Sequence, residues 1–271
     1  MYHHFCDFVN IYISQHVNGS GLSTNINIVH WITGSTNYDD HHFTDVWNVF
    51  TQHPIINLRQ YKGKRVCFKD VVFSIPPRRI DALFYNVPVI PHCNRSKLVR
   101  SFSNHILHRL GVSRDTNNRN NTRVTFLVRG TAWRRIINQE ELHNAMKSVP
   151  NVTVTMIDFS TLSFTEQLKV VVNTDILVSI HGAGLTHILF LQEGSAVLEL
   201  YHCENPNCYS RLSQLSNIKY FTIDDRSKFE SVEKKKGKEG PGGYAQMFWN
   251  YRFNADEVKR VFIKAVDYVR K

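Results

Sequence analysis

The sequence lacks several features that would assign its class of protein at once. It contains no run of about 18 uncharged apolar residues, which excludes a membrane-spanning helix within these residues. No basic stretch followed by an apolar stretch comes after Met1, so no signal peptide is visible. Met1 leads directly into Tyr-His-His-Phe, which is typical of the inside of a helix. We therefore expect the chain to lack its natural N-terminus.

Motifs for nucleic-acid recognition are also absent, although the chain is basic, with a formal net charge of +10 and a pI of about 9.4. Its basic residues are scattered except in the segment 226–243, where six Lys and Arg residues stand among three Glu and four Gly residues. That composition predicts a mobile, solvated loop. We expect no nucleic-acid partner.

Cysteines are few, and their spacing does not fit a metal site. Cys203 and Cys208 have no His or Cys pair nearby at the spacing of a zinc site, so no metal site is predicted. Cys203 and Cys208 flank a short loop, which favours a local disulfide. Cys67 and Cys93 are a second candidate pair. Four Asn-X-Ser/Thr sequences agree with a secretory compartment, and they begin at Asn18, Asn94, Asn120 and Asn151.

The most informative positive feature is a strand followed by a glycine turn. The apolar run Ile176–Ile180 predicts a buried parallel strand, which ends at His181. Two glycines, Gly182 and Gly184, lead from it into an apolar segment with a helical pattern that starts at Leu185. Open α/β sheets bind phosphate at such turns, because backbone N–H groups and the positive end of a helix dipole meet there. The turn lacks the third glycine of the dinucleotide fingerprint and the Lys-Ser/Thr of a P-loop.

The surrounding region alternates between strand and helix patterns, as a series of βα units does. The predicted strands are Val124–Val128, Val152–Ile157, Ile176–Ile180, Ala196–Leu200 and Tyr220–Ile223. The predicted helices are Gln139–Ser148, one opened by Ser163, Leu185–Leu191, one near Tyr209–Leu215, and Asn254–Val269. Capping boxes are predicted at Asn138 with Glu141 and at Ser163 with Glu166. The fold class is therefore α/β, with a parallel doubly wound sheet in the C-terminal half.

Several sequence motifs, in order along the chain, resemble those of glycosyltransferase family 61. One is the run Arg123-Val-Thr-Phe-Leu-Val-Arg-Gly-Thr-Ala-Trp-Arg-Arg-Ile-Ile-Asn138. The others are Asn173-Thr-Asp-Ile, His181-Gly-Ala-Gly-Leu-Thr-His, Val197-Leu-Glu-Leu-Tyr201, Met1-Tyr-His-His-Phe-Cys-Asp-Phe-Val-Asn10, Lys64-Arg-Val-Cys-Phe-Lys69, Leu83-Phe-Tyr-Asn86, and Cys203-Glu with Cys208-Tyr209. The resemblance covers nearly the whole chain.

The resemblance implies a GT-B architecture of two Rossmann-like halves, of which the first is incomplete. Residues 1–96 would be the partial acceptor-side domain. Residues 97–271 would be the nucleotide-sugar domain, with the basic loop 226–243 and a C-terminal helix. The implied activity is an inverting transfer of N-acetylglucosamine from its UDP conjugate (UDP-GlcNAc) to Ser or Thr of folded EGF-like domains. The implied compartment is the lumen of the endoplasmic reticulum.

Residue chemistry suggests how the donor would be held. Arg129 ends the first strand of the C-terminal half and Arg134 follows within one loop, and guanidinium groups bind phosphate oxygens with two hydrogen bonds. We expect both to bind the donor, together with His181 and the turn formed by Gly182, Gly184 and Leu185. Glu199, inside an apolar strand, is expected to bind the ribose, because a carboxylate is costly to bury without a partner. Asn138 is a further candidate, although its position also suits a helix cap.

An inverting transfer needs a base on the acceptor side. His4, Asp7 and Asp45 have suitable chemistry, although a packed helix face would also explain the first two. The family's acidic Asp-Tyr-Asp tripeptide is replaced here by Gln52-His53-Pro54, which removes two carboxylates. The loss argues against a divalent metal and against activity that depends on those carboxylates. No cofactor is expected besides the donor UDP-GlcNAc.

Two other functions remain open at the level of sequence. The chain could be a weak or inactive truncated member of the family that binds nucleotide sugars or EGF-like domains in the lumen. It could also carry a different family activity, such as transfer of a pentose, or of N-acetylglucosamine to O-mannose.

Overall fold

The computed structural model describes residues 1–16, 23–31, 43–74, 95–115, 121–200, 207–234 and 249–271. The helices are α1 (Tyr2–His16), α2 (Thr44–Phe50), α3 (Lys97–Arg109), α4 (Gln139–Lys147), α5 (Phe164–Val171), α6 (Asn207–Leu215) and α7 (Ala255–Val269). The strands are β1 (Val29–His30), β2 (Ile56–Asn57), β3 (Thr122–Leu127), β4 (Val152–Ile157), β5 (Ile176–Ser179), β6 (Ala196–Glu199), β7 (Lys219–Thr222), β8 (Phe229–Lys234) and β9 (Trp249–Phe253).

The predicted parallel sheet is confirmed. Strands β3 to β7 form a five-stranded sheet in the order β4-β3-β5-β6-β7, and every neighbouring pair is parallel. Its central strand β5 is buried along its whole length, which explains why its sequence is uniformly apolar rather than alternating. The strand order reverses between β3 and β5, so the chain winds away from this point in both directions.

Alternate residues of the central strands face two separate hydrophobic cores. Ile176 and Val178 of β5 pack with α4, α7 and β9 on one face, whereas Leu177 packs with α1, α3 and α5 on the other. The C-terminal helix α7 buries its predicted apolar side, and the members with at most 5% of their surface exposed are Val258, Val261, Phe262, Ala265 and Val266. Helices therefore cover both faces of the sheet.

Described residues of α1, of α2 and of the start of α3 belong to the core on the α1 side of the sheet. Phe5 of α1 is fully buried, and its ring lies 5.3 to 6.3 Å from five other rings, which belong to Phe8, Phe43, Phe102, Phe164 and Phe190. Strands β1 and β2 pair in parallel, with α2 between them in the chain. Buried residues on both sides of residue 96 belong to this one core. The boundary between two domains at residue 96 stays a prediction.

Local predictions met three outcomes. The capping box at Ser163 and Glu166 is confirmed, with both hydrogen bonds present. The one at Asn138 is wrong, because the Asn138 side chain makes no capping bond and instead binds both the N–H and the C=O of Phe253. The prediction of a loop over 226–243 is wrong in its first part, because residues 229–234 form β8 and pair with β9. Residues 235–243 lie outside the described ranges.

Predictions on modification sites are only partly within the described residues. Asn18, Asn94, Asn120, Cys93 and Cys203 lie outside them, so both disulfides and three of the glycosylation sites stay predictions. Asn151 is exposed in the turn before β4, which leaves its side chain accessible. Within the described ranges, no helix is long and apolar enough to cross a membrane.

The shared aromatic core predicts a large cost for truncating Phe5. We expect Phe5→Ala to lower the free energy of unfolding by about 3–5 kcal/mol, since it removes a buried ring that joins α1 to α3 and α5. Phe73→Ala is the matched control, because that ring is 88% exposed, and we expect it to change the stability by less than about 0.5 kcal/mol. Urea unfolding would measure both. Similar small costs for the two variants would contradict a core shared by α1 and the sheet domain.

Candidate functional site

The carboxyl ends of the central strands bring the predicted donor-binding residues to one edge of the sheet. Arg129 follows β3, His181 follows β5 and Glu199 ends β6, and these three strands are neighbours. Because all strands are parallel, their carboxyl ends lie side by side at the edge where open α/β sheets bind ligands. The structure therefore assembles residues from three separate motifs of the sequence.

Gly182 is the point where two arginines converge. A Cβ atom built on Gly182 would lie 2.6 Å from Nη1 of Arg129 and 3.4 Å from Nη1 of Arg134. Its φ of 158° also belongs to a backbone region that other residues rarely adopt. Glycine is thus favoured here by its backbone conformation, and an added side chain would also displace the guanidinium group of Arg129. We call Arg129 and Arg134 the arginine pair.

The arginine pair concentrates positive charge at the sheet edge, where the Asp158 carboxylate attracts Arg129 without forming an ion pair with it. Among the described residues, no carboxylate forms an ion pair with either guanidinium group. Burial lowers the pKa of Arg129, and repulsion from Arg134 lowers it further, although an arginine remains charged at neutral pH. Two half-buried cations held together in this way favour a ligand with two or more negative charges.

Glu199 acts on its neighbours within the protein. Only 1% of its side chain is exposed. One carboxylate oxygen bonds to Nδ1 of His181, and the other accepts a hydrogen bond of 2.6 Å from the hydroxyl of Tyr220. A carboxylate can only accept, so Nδ1 carries the proton and the orientation of the imidazole ring is fixed. Glu199 therefore orients His181 within the protein, and its contact with the ribose stays a prediction.

Tyr209 is a further component that the sequence did not single out as a site residue. Its ring packs edge-to-face on His181, with 5.1 Å between the ring centres, and it is 4% exposed. Burial raises the pKa of Tyr209 well above its usual range, which keeps the phenol neutral beside the arginine pair. His181 is therefore fixed by a hydrogen bond on one side and by an aromatic ring on another.

The glycine turn differs in detail from the prediction. The segment after it, Ala183–Phe190, is a 3-10 helix rather than an α-helix. The N–H of Leu185 donates to the C=O of Gly182 over 2.9 Å, and the Leu185 side chain is fully buried, so neither is offered to a ligand. Gly184 packs against Leu127, where an added Cβ would lie at 3.3 Å. The donors that this turn can present are the N–H groups that open the 3-10 helix.

Asn138 and the candidate bases lie in other surroundings. The amide of Asn138 is occupied by Phe253 and Glu141. On α1, His4 stacks at a tilt on the ring of Phe43, and Asp7 is half-buried one turn further on. Asp45 is exposed and accepts a hydrogen bond of 3.3 Å from Thr165 at the start of α5. Of these contacts, the one with Thr165 places Asp45 near the carboxyl edge of the sheet, since α5 follows β4.

The segment Gln52-His53-Pro54 lies at the amino ends of the parallel strands β1 and β2. The side chain of Gln52 donates to Thr24 over 2.9 Å, and Nε2 of His53 lies 2.6 Å from the Asn25 side-chain oxygen. Both bonds join residues that precede the two parallel strands, whereas α/β sheets bind ligands beyond the carboxyl ends. Within the described ranges no three His, Cys, Asp or Glu side chains are grouped so as to hold a metal ion.

Comparison with known proteins assigns the family. The family described as Glycosyltransferase 61 matches residues 1–198 of the chain. The chain belongs to this glycosyltransferase family. It is similar to proteins named EGF domain-specific O-linked N-acetylglucosamine transferase.

Three such relatives show the extent of the similarity. The Pan troglodytes protein is 45% identical over 271 residues, which are 99% of this chain and 51% of that protein. The Xenopus laevis protein is 45% identical over 273 residues, covering 100% of this chain and 51% of that protein. The Drosophila melanogaster protein is 41% identical over 270 residues, covering 98% and 50%. The chain thus spans about half the length of the curated relatives it matches.

His187, in the 3-10 helix that follows the glycine turn, is a buried histidine whose pKa is lowered. Its ring is 1% exposed and lies against Phe159, with 4.7 Å between the ring centres, and Nδ1 bonds to the C=O of Gly184. Burial lowers the pKa of His187 to about 4, so the ring is neutral in the folded protein at neutral pH.

This burial predicts a specific loss of stability in acid. Because the unfolded chain takes up the proton near pH 6.5 and the folded chain does so only near pH 4, stability falls as the pH is lowered through this interval, by up to about 3 kcal/mol. His187→Gln retains a polar side chain and does not titrate. We expect the unfolding free energy of the wild type to decrease more than that of the variant between pH 7 and pH 4. A constant difference between the two proteins would contradict a buried neutral His187.

Proposed function

We propose that this chain contributes the nucleotide-sugar site of a transferase that moves N-acetylglucosamine from UDP-GlcNAc to Ser or Thr of EGF-like domains. The observation that carries the proposal is the convergence of two guanidinium groups on Gly182 without a carboxylate partner among the described residues. Membership of the family supports glycosyl transfer, and the names of the relatives support the sugar and the acceptor.

In this proposal the arginine pair binds the diphosphate of UDP-GlcNAc. Guanidinium groups match phosphate oxygens in geometry and charge, and the two arginines lie at the sheet edge that such folds use for nucleotides. His181, oriented by Glu199 and Tyr209, adds a hydrogen-bonding group beside Gly182. The N–H groups at the start of the 3-10 helix complete an anion-binding turn.

The reaction requires stabilisation of the leaving group more than activation of the sugar. As the acceptor oxygen bonds to the anomeric carbon, the bond from that carbon to the β-phosphate oxygen breaks, and negative charge grows on the phosphate. Cations fixed before the reaction stabilise that charge most in the transition state, typically by 10²–10³ in rate for each donor, which corresponds to about 3–4 kcal/mol. We infer that the mechanism inverts the anomeric centre and needs no divalent metal.

The hydroxyl proton of Ser or Thr must pass to a base on the acceptor side. Among His4, Asp7 and Asp45, we favour Asp45, because it is exposed and its bond with Thr165 places it near the carboxyl edge. A GT-B arrangement would bring such a group across a cleft from the donor, and the parallel β1–β2 pair with α2 is the element that supports a second Rossmann-like half.

We further propose that the protein works in the lumen of the endoplasmic reticulum. Folded EGF-like domains are found in secretory compartments, where glycosylation and disulfide formation also occur. The exposed Asn151 of the sequence Asn-Val-Thr is consistent with such an environment.

The test is transfer of labelled N-acetylglucosamine to a folded EGF-like domain, using a form extended to the length of the relatives. We expect product with and without a chelator, and a loss of about 10²–10³-fold in kcat/KM for Arg129→Ala. Arg260→Ala is the matched control: that arginine pairs on the surface of α7 with Glu257, so its loss should leave transfer unchanged. Activity that survives Arg129→Ala would remove the arginine pair from the mechanism. Nucleotide binding without any transfer would instead favour a binding protein.

A further inference from the structure

We propose that Asn250 and Asp158 are positioning residues that hold the arginine pair together. Both form hydrogen bonds with the backbone of the segment 129–135, which we call the arginine loop. Neither belongs to the sequence motifs of the donor site. The inference rests on the proposed donor site and deepens it. In this proposal, β9, which contains Asn250, fixes the position of Arg134 relative to the ligand.

The arginine loop needs such support because its conformation is unfavourable on its own. Arg134 has a φ of 56°, a left-handed conformation that side-chain-bearing residues adopt rarely. Its guanidinium group is also brought close to that of Arg129 at Gly182, although the two charges repel each other. Before a ligand arrives, neither the backbone preference nor the charge of Arg134 favours this position. Contacts from elsewhere must therefore stabilise it.

Asn250 supplies such contacts on both sides of Arg134. Its side-chain oxygen accepts a hydrogen bond of 2.9 Å from the N–H of Arg135, and its Nδ2 donates to the C=O of Ala132 over 3.1 Å. The neighbouring C=O of Trp249 accepts from the N–H of Arg134 itself over 2.9 Å. The Asn250 side chain is fully buried, so its own end of each bond is shielded from water. The amide of Asn250 thus spans the turn that carries Arg134.

Asp158 holds the other end of the arginine loop. Its Oδ2 accepts a hydrogen bond of 2.6 Å from the N–H of Gly130, the residue directly after Arg129, and its Oδ1 accepts one of 2.9 Å from Ser160. A Cβ on Gly130 would lie 2.6 Å from Oδ2, so the carboxylate lies close to the backbone at a position without a side chain. Burial acts to raise the pKa of Asp158, but the bonds from Ser160 and Gly130 hold it below its usual range. Asp158 is therefore ionised when it holds the loop.

A purely structural role for Asn250 makes a different prediction from a positioning role. If Asn250 only stabilises the fold, its removal changes the affinity for the donor diphosphate independently of Arg134. If it presents Arg134, removing either residue abolishes the same contact, and the two losses do not add. A double-mutant cycle on UDP affinity separates these cases.

The experiment titrates the full chain with UDP in four forms: wild type, Asn250→Ala, Arg134→Ala and the double variant. We expect Asn250→Ala to weaken binding about tenfold and Arg134→Ala at least as much. The double variant should bind within about twofold of Arg134→Ala alone. Additive losses, or unchanged affinity for Asn250→Ala beside a clear loss for Arg134→Ala, would overturn the positioning role alone. Unchanged affinity for both Arg129→Ala and Arg134→Ala would overturn the donor site itself.

Three further variants keep the result decisive. Asn254→Ala is the matched control, because that asparagine lies four residues on and caps α7 through the N–H of Glu257. It should lower the Tm and leave UDP affinity unchanged. If Asn250→Ala does not fold, Asn250→Ser takes its place in the cycle, since the shorter neutral hydroxyl remains polar but cannot reach both Arg135 and Ala132. Asp158→Asn should show the same lack of additivity with Arg129→Ala, and additive losses there would contradict the role of Asp158.

Discussion

The close approach of two guanidinium groups to the backbone of Gly182 is the contact on which the site depends. It occurs at a glycine with a positive φ directly after β5 and at a left-handed turn at Arg134. It also requires the ends of β3 and β5 to be neighbours, as they are in the sheet. A positive site of this kind is unfavourable in the empty protein, and the rest of the fold stabilises it. The sheet, the 3-10 helix and β9 can be understood as the support for this one contact.

Catalysis at the proposed site would depend on the same contacts, because they fix the positions of the two arginines before the substrate binds. Charges that are fixed before the substrate binds do not have to reorganise during the reaction, so they act fully on the developing charge of the leaving group. Glu199 serves the same end, because it orients His181 from a fully buried position. The proposed metal-free mechanism depends on this arrangement rather than on carboxylates at the positions of Gln52-His53-Pro54. The side chains of Gln52 and His53 form hydrogen bonds with Thr24 and Asn25, which precede β1.

Local patterns predicted the sheet but not the contacts that span the chain. The strands β3 to β7 could be found because their apolar runs and intervening helices repeat at short range. The cap at Asn138 was wrong because Phe253, distant in the sequence, binds the same amide. Strand β8 was missed because its composition is that of a solvated loop, and pairing with β9 decides its structure. Asp158 could have been found from its place after β4, whereas no local signal marks Asn250.

The central claim is that the arginine pair recognises a diphosphate, and the most direct measurement compares the binding of UDP with that of uridine. Calorimetry on the wild type should give UDP an advantage of at least about 10²-fold, since two charge-assisted contacts are available only to the diphosphate. Replacing both Arg129 and Arg134 with alanine should remove most of that advantage and leave uridine binding nearly unchanged. An equal preference for UDP in the wild type and in the double variant would contradict the account.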